Sequence, residues 1–138
     1  MKTNPEIVRE ACHVVWTEGQ VDRVPDFFSE DFTADYAFTD WGAGIEGIKA
    51  LAASVRVGLP GYCEAIKLLV DTGEYIVVEL LIEGTHTGTM NGMEPTGNAV
   101  AFLDVTILML RDGKIIEQRD LSNYLTMFQQ LGIITPPV

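Results

Sequence analysis

The sequence predicts an α+β fold in which three helices precede a curled antiparallel sheet. Apolar residues recur at helical spacing in the first part of the chain, whereas from Cys63 onward apolar runs of strand length alternate with turn signals. A length of 138 residues favours one domain with one site. Residues 1–138 are therefore expected to form a single domain with a core of its own.

The first helix is expected to begin at Asn4, an N-cap residue followed by Pro5 at the first helical position. Gly19 is expected to end it. Asp22 then predicts the cap of a short second helix that runs through Phe28. The apolar positions of the first helix fit one buried stripe: Ile7, Val8, Ala11, Cys12, Val15 and Trp16.

A short strand and a third helix follow. The strand covers Phe32–Phe38, with Asp35 or Tyr36 pointing inward, and the helix covers Ile45–Val57. The helix has one apolar stripe, formed by Ile48, Leu51, Ala52 and Val55. After it the chain predicts strands only, separated by turn signals: Cys63–Val70, Tyr75–Thr87, Asn98–Leu110 and Lys114–Leu121.

The run Val100–Leu110 is the most unusual stretch, because Asp104 and Thr106 are its only polar residues. A strand this apolar is normally buried on both faces, so a carboxylate within it needs a reason. The next strand along the chain carries Gln118 and Asp120 two residues apart. Whether these four polar side chains share a face depends on the turn between the strands.

Two turns fit the sequence at Asp112–Gly113. A two-residue type I′ hairpin would place Asp120 opposite Val105, whereas a type I turn with a G1 bulge would place it opposite Asp104. We favour the second, because Arg111 suits a type I central position better than Asp112 suits positive φ. The polar residues then share one face and the apolar residues Leu103, Val105, Ile107 and Met109 share the other. This pattern predicts a pocket on the polar face and a subunit contact on the apolar face.

The charge balance narrows the range of partners. Nine basic against twenty acidic residues give a net charge of −11, which repels nucleic acid and anionic membrane surfaces. A neutral or weakly charged ligand is therefore expected, although the charge by itself indicates solubility. Cys12 and Cys63 have no metal-type spacing and are expected to be reduced. Neither a signal-peptide h-region nor a membrane-spanning run is found, so a cytoplasmic location is expected.

Several kinds of chemistry lack their residue patterns. No serine lies in a GxSxG motif, and Cys12 and His13 are adjacent on a helix, so they point to different faces. His13 and His86 are the only histidines and form no HxH or HExxH motif, so no metal site is predicted. The glycines around Gly44 lack the dinucleotide fingerprint. We therefore expect an enzyme without a cofactor.

General acid–base chemistry from carboxyl groups remains. A carboxyl group that apolar neighbours such as Phe102 desolvate has a raised pKa, and a second carboxylate nearby raises it further. Asp120 is the predicted catalytic acid/base and Asp104 its partner. The alternative is that Asp120 forms a local cap or an ion pair with Arg119 or Arg111.

Other residues are candidates for substrate binding. Asp35 or Tyr36 could hydrogen-bond a substrate oxygen, and Thr106 and Gln118 lie on the same predicted face as the aspartates. His86 could reach the mouth of a cavity, or be a solvated histidine at a strand end. Aromatic residues could wall the cavity around a flat ligand, or simply belong to the core: Trp16, Phe38, Trp41 and Phe102.

Several short motifs occur along the chain in the same order as in one protein family. They are Gly84–Gly88 (GTHTG), Pro95–Gly97, Asp112–Ile115 and Gln129–Gly132, and the resemblance extends through Trp16, Gly19 and Phe28–Phe32. In this pattern the chain resembles the SnoaL-like polyketide cyclase branch of the nuclear transport factor 2-like superfamily. The resemblance covers most of the chain and is more specific for the fold than for the reaction.

The resemblance implies a cone in which three N-terminal helices cover the concave face of a bent, antiparallel or mixed sheet, commonly as a homodimer. In the cyclases an aspartate on the last strand is the acid/base for an intramolecular aldol ring closure, without metal or cofactor. Asp120 matches that position. Thr106 stands where members often have a histidine, which Asp104 would replace.

Related families leave alternatives open. Limonene-type epoxide hydrolases share the Arg119–Asp120 pair but need an arginine and an aspartate on the strand Tyr75–Glu83. The inward candidates there are Val78, Leu80 and Ile82. Ketosteroid isomerases place an aspartate base near Asp35. Ring closure, isomerisation, dehydration and, as the runner-up, epoxide hydrolysis stay possible on a hydrophobic small molecule, as does a binding or dimerisation module without catalysis.

Overall fold

The computed structural model describes residues 1–36 and 40–135. Four α-helices lie at Asn4–Ala11 (α1), Val24–Phe27 (α2), Gly44–Gly58 (α3) and Tyr124–Gln130 (α4). A π-helix at Cys12–Thr17 continues α1, and a 3₁₀ turn at Val21–Arg23 precedes α2. Five strands lie at Phe28–Asp35 (β1), Cys63–Asp71 (β2), Tyr75–Thr85 (β3), Ala99–Arg111 (β4) and Lys114–Ser122 (β5).

The strands form one curved, unclosed sheet in the order β1-β5-β4-β3-β2. β1 pairs with β5 in parallel and the other neighbours are antiparallel, so the sheet is mixed, one of the two arrangements that the family resemblance implied, and not purely antiparallel as the residues alone predicted. The predicted α+β class is confirmed. None of the helices in residues 1–36 and 40–135 is long and apolar enough to cross a membrane.

The start of α1 differs from the prediction by one residue. Thr3, not Asn4, is the N-cap, because its hydroxyl accepts from the Glu6 backbone N–H while the Glu6 carboxylate accepts from the Thr3 backbone N–H. Asn4 instead donates from its side-chain amide to the Gly73 carbonyl at 3.1 Å. The chain leaves the helical region at Gly19, which has φ +70°.

After Gly19, the second helix is shorter than predicted and the first strand begins earlier than predicted. Asp22 caps no helix, since neither the 3₁₀ turn nor α2 has a side-chain cap. β1 begins at Phe28 rather than Phe32, because Phe28 pairs with Ile115 of β5 and packs edge-on against Phe32, with ring centroids 5.0 Å apart. Phe38, predicted as part of this strand and of a cavity wall, lies outside the described residues.

The prediction that only strands follow α3 was wrong. The chain ends in α4, where the Asn123 side chain accepts from the Thr126 backbone N–H at 3.2 Å. Met127 and Leu131, one helical turn apart, are buried in the core. α4 therefore closes one end of the space between the helices and the sheet.

The turn between β4 and β5 corrects the predicted register. Asp112 and Gly113 have φ +51° and +77°, so the turn is the two-residue type I′ hairpin that we did not favour. Arg111 pairs with Lys114, and an extra residue at Ile116 then shifts the register. Asp120 consequently lies opposite Thr106, and Asp104 opposite Ser122.

The residues of β4 and β5 still lie on the predicted faces of the sheet despite the corrected register. A bulge residue moves every later pair by one, so Asp120 again opposes an even-numbered residue of β4 and points to the inner face. Asp104 and Thr106 are buried on that face at 2% and 5% exposure. Leu103 and Val105 are exposed on the outer face at 43% and 41%.

Candidate active site

A cavity of about 230 Å³ lies between the helices and the inner face of the sheet. Its apolar wall comes from every layer of the fold: Val8 and Trp16 from α1 and its π-helical continuation, Leu51 and Val55 from α3, Val78, Ile82, Phe102 and Leu108 from the sheet, and Tyr124 and Phe128 from α4. The inner positions of β3 are apolar as predicted, with Val78, Leu80 and Ile82 all buried. An apolar cavity of this kind desolvates any charged group that faces it.

Asp104 forms a fixed anchor in this cavity. Thr106 donates its hydroxyl to Asp104 Oδ1 at 2.6 Å, and Ser122 donates its hydroxyl to Oδ2. Both contacts follow from the register, because Thr106 lies two residues along β4 and Ser122 lies directly opposite on β5. Two hydroxyl donors stabilise negative charge on this buried carboxyl group.

Asp120 lines the same cavity and is less completely satisfied. Its Oδ1 atom is buried and has no hydrogen-bond partner among the described residues. The pKa of Asp120 is raised from 3.8 to about 10, chiefly by burial and also by hydrogen bonding to Asp104 and the charges of Asp104 and Glu64, while hydrogen bonding to Thr106 lowers it. At neutral pH Asp120 therefore holds a proton, which its hydrogen bond to Asp104 shares between the two side chains.

The alternative ion pairs of Asp120 are not seen in the described part of the chain. Arg119 points to the outer side and donates from Nε to Glu117 Oε1 at 2.9 Å. Arg111 is exposed at the turn, far along the hairpin from Asp120. A carboxyl group without a cation, in an apolar cavity and next to a second carboxyl group, is suited to take up and give back a proton.

Glu64 is a third carboxyl group in the cavity, and it was missed in the sequence. Tyr62 donates its hydroxyl to Glu64 Oε1 at 2.5 Å, whereas Oε2 is buried without a hydrogen-bond partner among the described residues. Burial raises the pKa of Glu64 to about 8, and the charge of Asp104 raises it too, while hydrogen bonds from Tyr62 and Cys12 lower it. Alternation with Ile66, which packs on the core, was the signal that could have found it.

Most of the predicted site residues line this cavity. They are Asp104, Asp120, Trp16, Trp41, Phe102, Thr106 and Gln118. Gln118 is 4% exposed and lies opposite Leu108, so its amide belongs to the inner face. The aromatic residues come from three separate parts of the chain, and only the closing of the helices over the sheet brings them together.

Asp35, Tyr36 and His86 do not line the cavity. Asp35 is exposed on the edge strand β1, where it pairs with Arg119 in the β1–β5 register. Tyr36 is buried, and its hydroxyl finds no hydrogen-bond partner in the described residues. Burial raises the pKa of Tyr36 well above its usual range, and the charge of Asp120 contributes.

His86 is buried completely and lies outside the cavity lining, so both alternatives for this residue, a place at the cavity mouth and a solvated strand end, were wrong. The loop folds back on the ring, because the His86 backbone N–H donates to the Asn98 carbonyl and the Gly97 backbone N–H donates to the His86 carbonyl. The ring atom Nδ1 accepts from the Thr96 backbone N–H at 3.2 Å. These contacts hold the segment 84–98 together and keep His86 away from the cavity.

No set of three His, Cys, Asp or Glu side chains is placed to hold a metal ion within residues 1–36 and 40–135. The three cavity carboxyl groups are spread over β2, β4 and β5, which agrees with this result. The arrangement can therefore bind an apolar molecule and exchange protons with it at more than one point.

Two comparisons with known sequences agree on the family. The model of the family described as SnoaL-like polyketide cyclase matches residues 6–131. Aklanonic acid methyl ester cyclase DnrD of Streptomyces peucetius is 26% identical over 136 residues, which cover 96% of this chain and 92% of DnrD. The aklanonic acid methyl ester cyclase AcmA of Streptomyces galilaeus is 26% identical over 123 residues, which cover 85% and 83% of the two chains.

Solved structures share the fold. A SnoaL-like protein from Jannaschia sp. CCS1 superposes with a TM-score of 0.85 at 25% identity, over 96% of this chain and 93% of its own. TsrD from Streptomyces laurentii superposes with a TM-score of 0.84 at 18% identity, over 96% of this chain and all of its own. These matches extend over nearly the whole chain.

Proposed function

The chain belongs to the SnoaL-like polyketide cyclase family and is an enzyme, and on that premise we propose that it closes a ring by an intramolecular aldol reaction. The proposed catalytic acid/base is Asp120, with Asp104 as its partner. The observation that carries this proposal is the buried Oδ1 atom of Asp120, which has no partner among the described residues in an apolar cavity. Such an atom is available to a substrate.

The proposed substrate is a neutral, hydrophobic carbonyl compound. The described lining contains neither lysine nor arginine, so a substrate carboxylate would be buried without a compensating cation. DnrD and AcmA are named as cyclases of a methyl ester. The aromatic wall formed by Trp16, Trp41 and Phe102 supports a flat ring system.

The proposed step balances without an oxidant or a reductant. The proton shared by the pair moves toward Asp104, and Asp120 Oδ1 takes a proton from a carbon atom that lies next to a carbonyl group. That carbon attacks a second carbonyl carbon of the same molecule, so a carbon–carbon bond forms and the carbonyl oxygen becomes an alkoxide. An acid in the cavity then protonates the alkoxide, and the product is an isomer of the substrate.

The test is a substrate panel with matched variants. Aklanonic acid methyl ester and smaller neutral diketo esters are incubated with the wild type in D₂O, and ring closure and deuterium uptake are followed by NMR and mass spectrometry. Asp120→Asn should lose ring closure by about 1,000-fold, as expected for a positioned acid/base. Glu83→Gln, an exposed carboxyl group on β3, is the control and should retain it.

Two outcomes would contradict the proposal. One is a wild type that closes no ring in the panel, and the other is an Asp120→Asn variant within threefold of the wild type. Terpene epoxides are run in parallel, because a diol product would favour the runner-up, epoxide hydrolysis. The free acids of the same esters should react more slowly if the cavity rejects a carboxylate.

We also infer that the enzyme is a homodimer through the outer face of the sheet. Large apolar side chains are exposed there on four adjacent strands: Leu68, Val70, Tyr75, Leu103, Val105, Ile107 and Leu121. Exposed apolar side chains on one face of a sheet support a protein contact, and on this face Glu79 lies between Leu68 and Val105. A second copy of the chain is the proposed partner, because two such sheets can pack face to face about a two-fold axis.

A further inference from the structure

We propose that Glu64 is a second catalytic acid, which binds the carbonyl oxygen that the substrate carbon attacks and gives that oxygen its proton. The inference rests on the proposed ring closure and assigns a separate group to its second half. It starts from three observations: Glu64 lines the cavity, one of its carboxyl oxygens is held by the protein, and the other has no partner among the described residues.

The position of Glu64 separates it from the Asp104–Asp120 pair. Glu64 lies near the start of β2 and pairs with Ile82, a buried residue of the inner face. β2 and β4 are separated by β3, so their backbones lie about 10 Å apart in the sheet. Carboxyl groups that project into the cavity from strands at this separation approach a substrate from two sides, with the reacting carbon at one and the acceptor oxygen at the other.

The contacts of Glu64 orient its free oxygen. The hydroxyl of Tyr62, just before β2, occupies Oε1, and the thiol of Cys12 also hydrogen-bonds the carboxyl group from the π-helix. The Glu64 backbone N–H donates to Thr17 Oγ1 at 3.1 Å, which fixes the strand against the same helix. A carboxyl group held on one oxygen presents the other, Oε2, to the cavity.

The electrostatics favour the acid form of Glu64 at neutral pH. The titratable groups that face it are Tyr62 and Cys12 on one side and Asp104 and Asp120 across the cavity. Burial raises its pKa to about 8, so the carboxyl group keeps its proton at pH 7. A neutral carboxylic acid can donate a strong hydrogen bond to a carbonyl oxygen, which a carboxylate cannot.

With Glu64 as the acid, every proton in the ring closure is accounted for. The carbon–hydrogen bond breaks and its proton goes to the Asp104–Asp120 pair, while the new carbon–carbon bond pushes the carbonyl π electrons onto oxygen. Glu64 protonates that oxygen and becomes a carboxylate. The extra proton of the aspartate pair returns to Glu64 through water when the product leaves, so the enzyme is regenerated.

The first test needs no substrate. The probe is 2-acetylnaphthalene with a ¹³C-labelled carbonyl group, and the carbonyl stretching frequency is measured in the bound state from pH 6 to pH 10. In the wild type the band should be lowered at pH 6 and return upward through about pH 8, as Glu64 loses its proton. Glu64→Gln should show a smaller shift that does not depend on pH, whereas Asp120→Asn and Glu83→Gln should retain the wild-type dependence.

Either of two results would overturn the assignment. One is a wild type in which the carbonyl band of the probe is not lowered at pH 6, and a probe that does not bind at all counts as this result. The other is a Glu64→Gln variant that keeps the wild-type pH dependence, because the donor would then be another group.

The second test separates the two halves of the reaction with the diketo ester panel in D₂O. Glu64→Gln should keep deuterium exchange at the attacking carbon within threefold and lose ring closure by about 100-fold, whereas Asp120→Asn should lose both. Equal losses of exchange and closure in Glu64→Gln would contradict the role. A wild type with neither deuterium exchange nor ring closure would contradict the proposed function but not the role of Glu64. The carbonyl band of the probe tests separately whether Glu64 donates a hydrogen bond.

Discussion

On β4 the polar side chains lie on the buried inner face, whereas the outer face of the same strand is apolar and partly exposed. Asp104, Thr106 and Gln118 are 2%, 5% and 4% exposed on the inner face. Val105 and Ile107, on the outer face of the same strand, are 41% and 37% exposed. Burial of apolar area alone would not place a carboxyl group on the inner face.

The difference shows that the neighbouring strand and the hydrogen bonds decide the orientation. Phe102 and Leu108 share the inner face with Asp104, and the inner side chains of β3 are apolar. The carboxyl group of Asp104 is tolerated there because Thr106 and Ser122 satisfy both of its oxygens. The polar residues are thus a local insertion into an apolar face, which is typical of a site rather than of a core.

The largest expected effect concerns the stability of the polar inner face at different pH values. The folded pKa of Asp120 is raised from 3.8 to about 10 and that of Glu64 from 4.5 to about 8. The folded state therefore holds protons that the unfolded chain releases, so stability is fully present below about pH 4 and is lost as the pH rises toward 10. The free energy of unfolding should fall by several kcal/mol between pH 5 and pH 9, because each group contributes about 1.4 kcal/mol for every pH unit between its unfolded and its folded pKa.

Urea denaturation at both pH values checks this expectation. Asp120→Asn and Glu64→Gln should each flatten the decline, because an amide has no proton to release in this range. Glu83→Gln should leave the slope unchanged, as its side chain is exposed. If the wild type is equally stable at pH 5 and pH 9, the buried carboxyl groups are not held in their acid forms.

The next largest effect is expected from a substitution of Asp104, the hydrogen-bonded carboxyl group of the inner face. Asp104→Asn removes the charge and the acceptor that raise the pKa of Asp120, so the pKa of Asp120 should move down toward its ordinary value. Ring closure should fall by about 100-fold, because Asp120 then lacks the partner that accepts the shared proton. Carboxyl chemical shifts of Asp120 measured by NMR from pH 4 to pH 10 follow the first change. An unaltered titration would show that the two groups are not coupled.

A smaller effect is expected from a charge on the outer face. Val105→Glu should weaken the proposed dimer by about 30-fold, since a two-fold contact brings two like charges into an apolar interface. Sedimentation velocity at several concentrations measures the dissociation constant, and Val105→Thr, which keeps the β-branched shape, is the control. Activity per folded monomer should stay within threefold. A dimer that tolerates the glutamate would place the contact elsewhere.

The smallest effect is expected from the removal of the Thr106 hydroxyl on the inner face. Thr106→Val removes a hydroxyl that donates to Asp104 and that lowers the pKa of Asp120, with little change in shape. The pKa of Asp120 should therefore rise, opposite in sign to the effect of Asp104→Asn, and ring closure should fall by roughly threefold. NMR titration and initial rates decide the sign, and a lowered pKa would contradict the assigned contacts.

Local sequence signals determined much of the fold. Apolar periodicity predicted α3 and the four strands from Cys63 onward to within two residues, because the side chains of those elements must meet a core on one side. The shared inner face of Asp104 and Asp120 was predicted through the wrong turn, and it holds because the bulge at Ile116 restores the parity that the type I′ hairpin alone would reverse. The family resemblance was carried by short motifs and is confirmed.

Tertiary structure decided the rest. Whether Asp112 takes positive φ, and where the bulge compensates, depends on how β5 must pair with both β4 and β1. Alternation with Ile66 indicates that Glu64 faces inward, but only the closing of the π-helix over β2 buries its carboxyl group. The pKa of each cavity carboxyl group likewise follows from the neighbours that the fold supplies, because desolvation and charge act through space and not along the sequence.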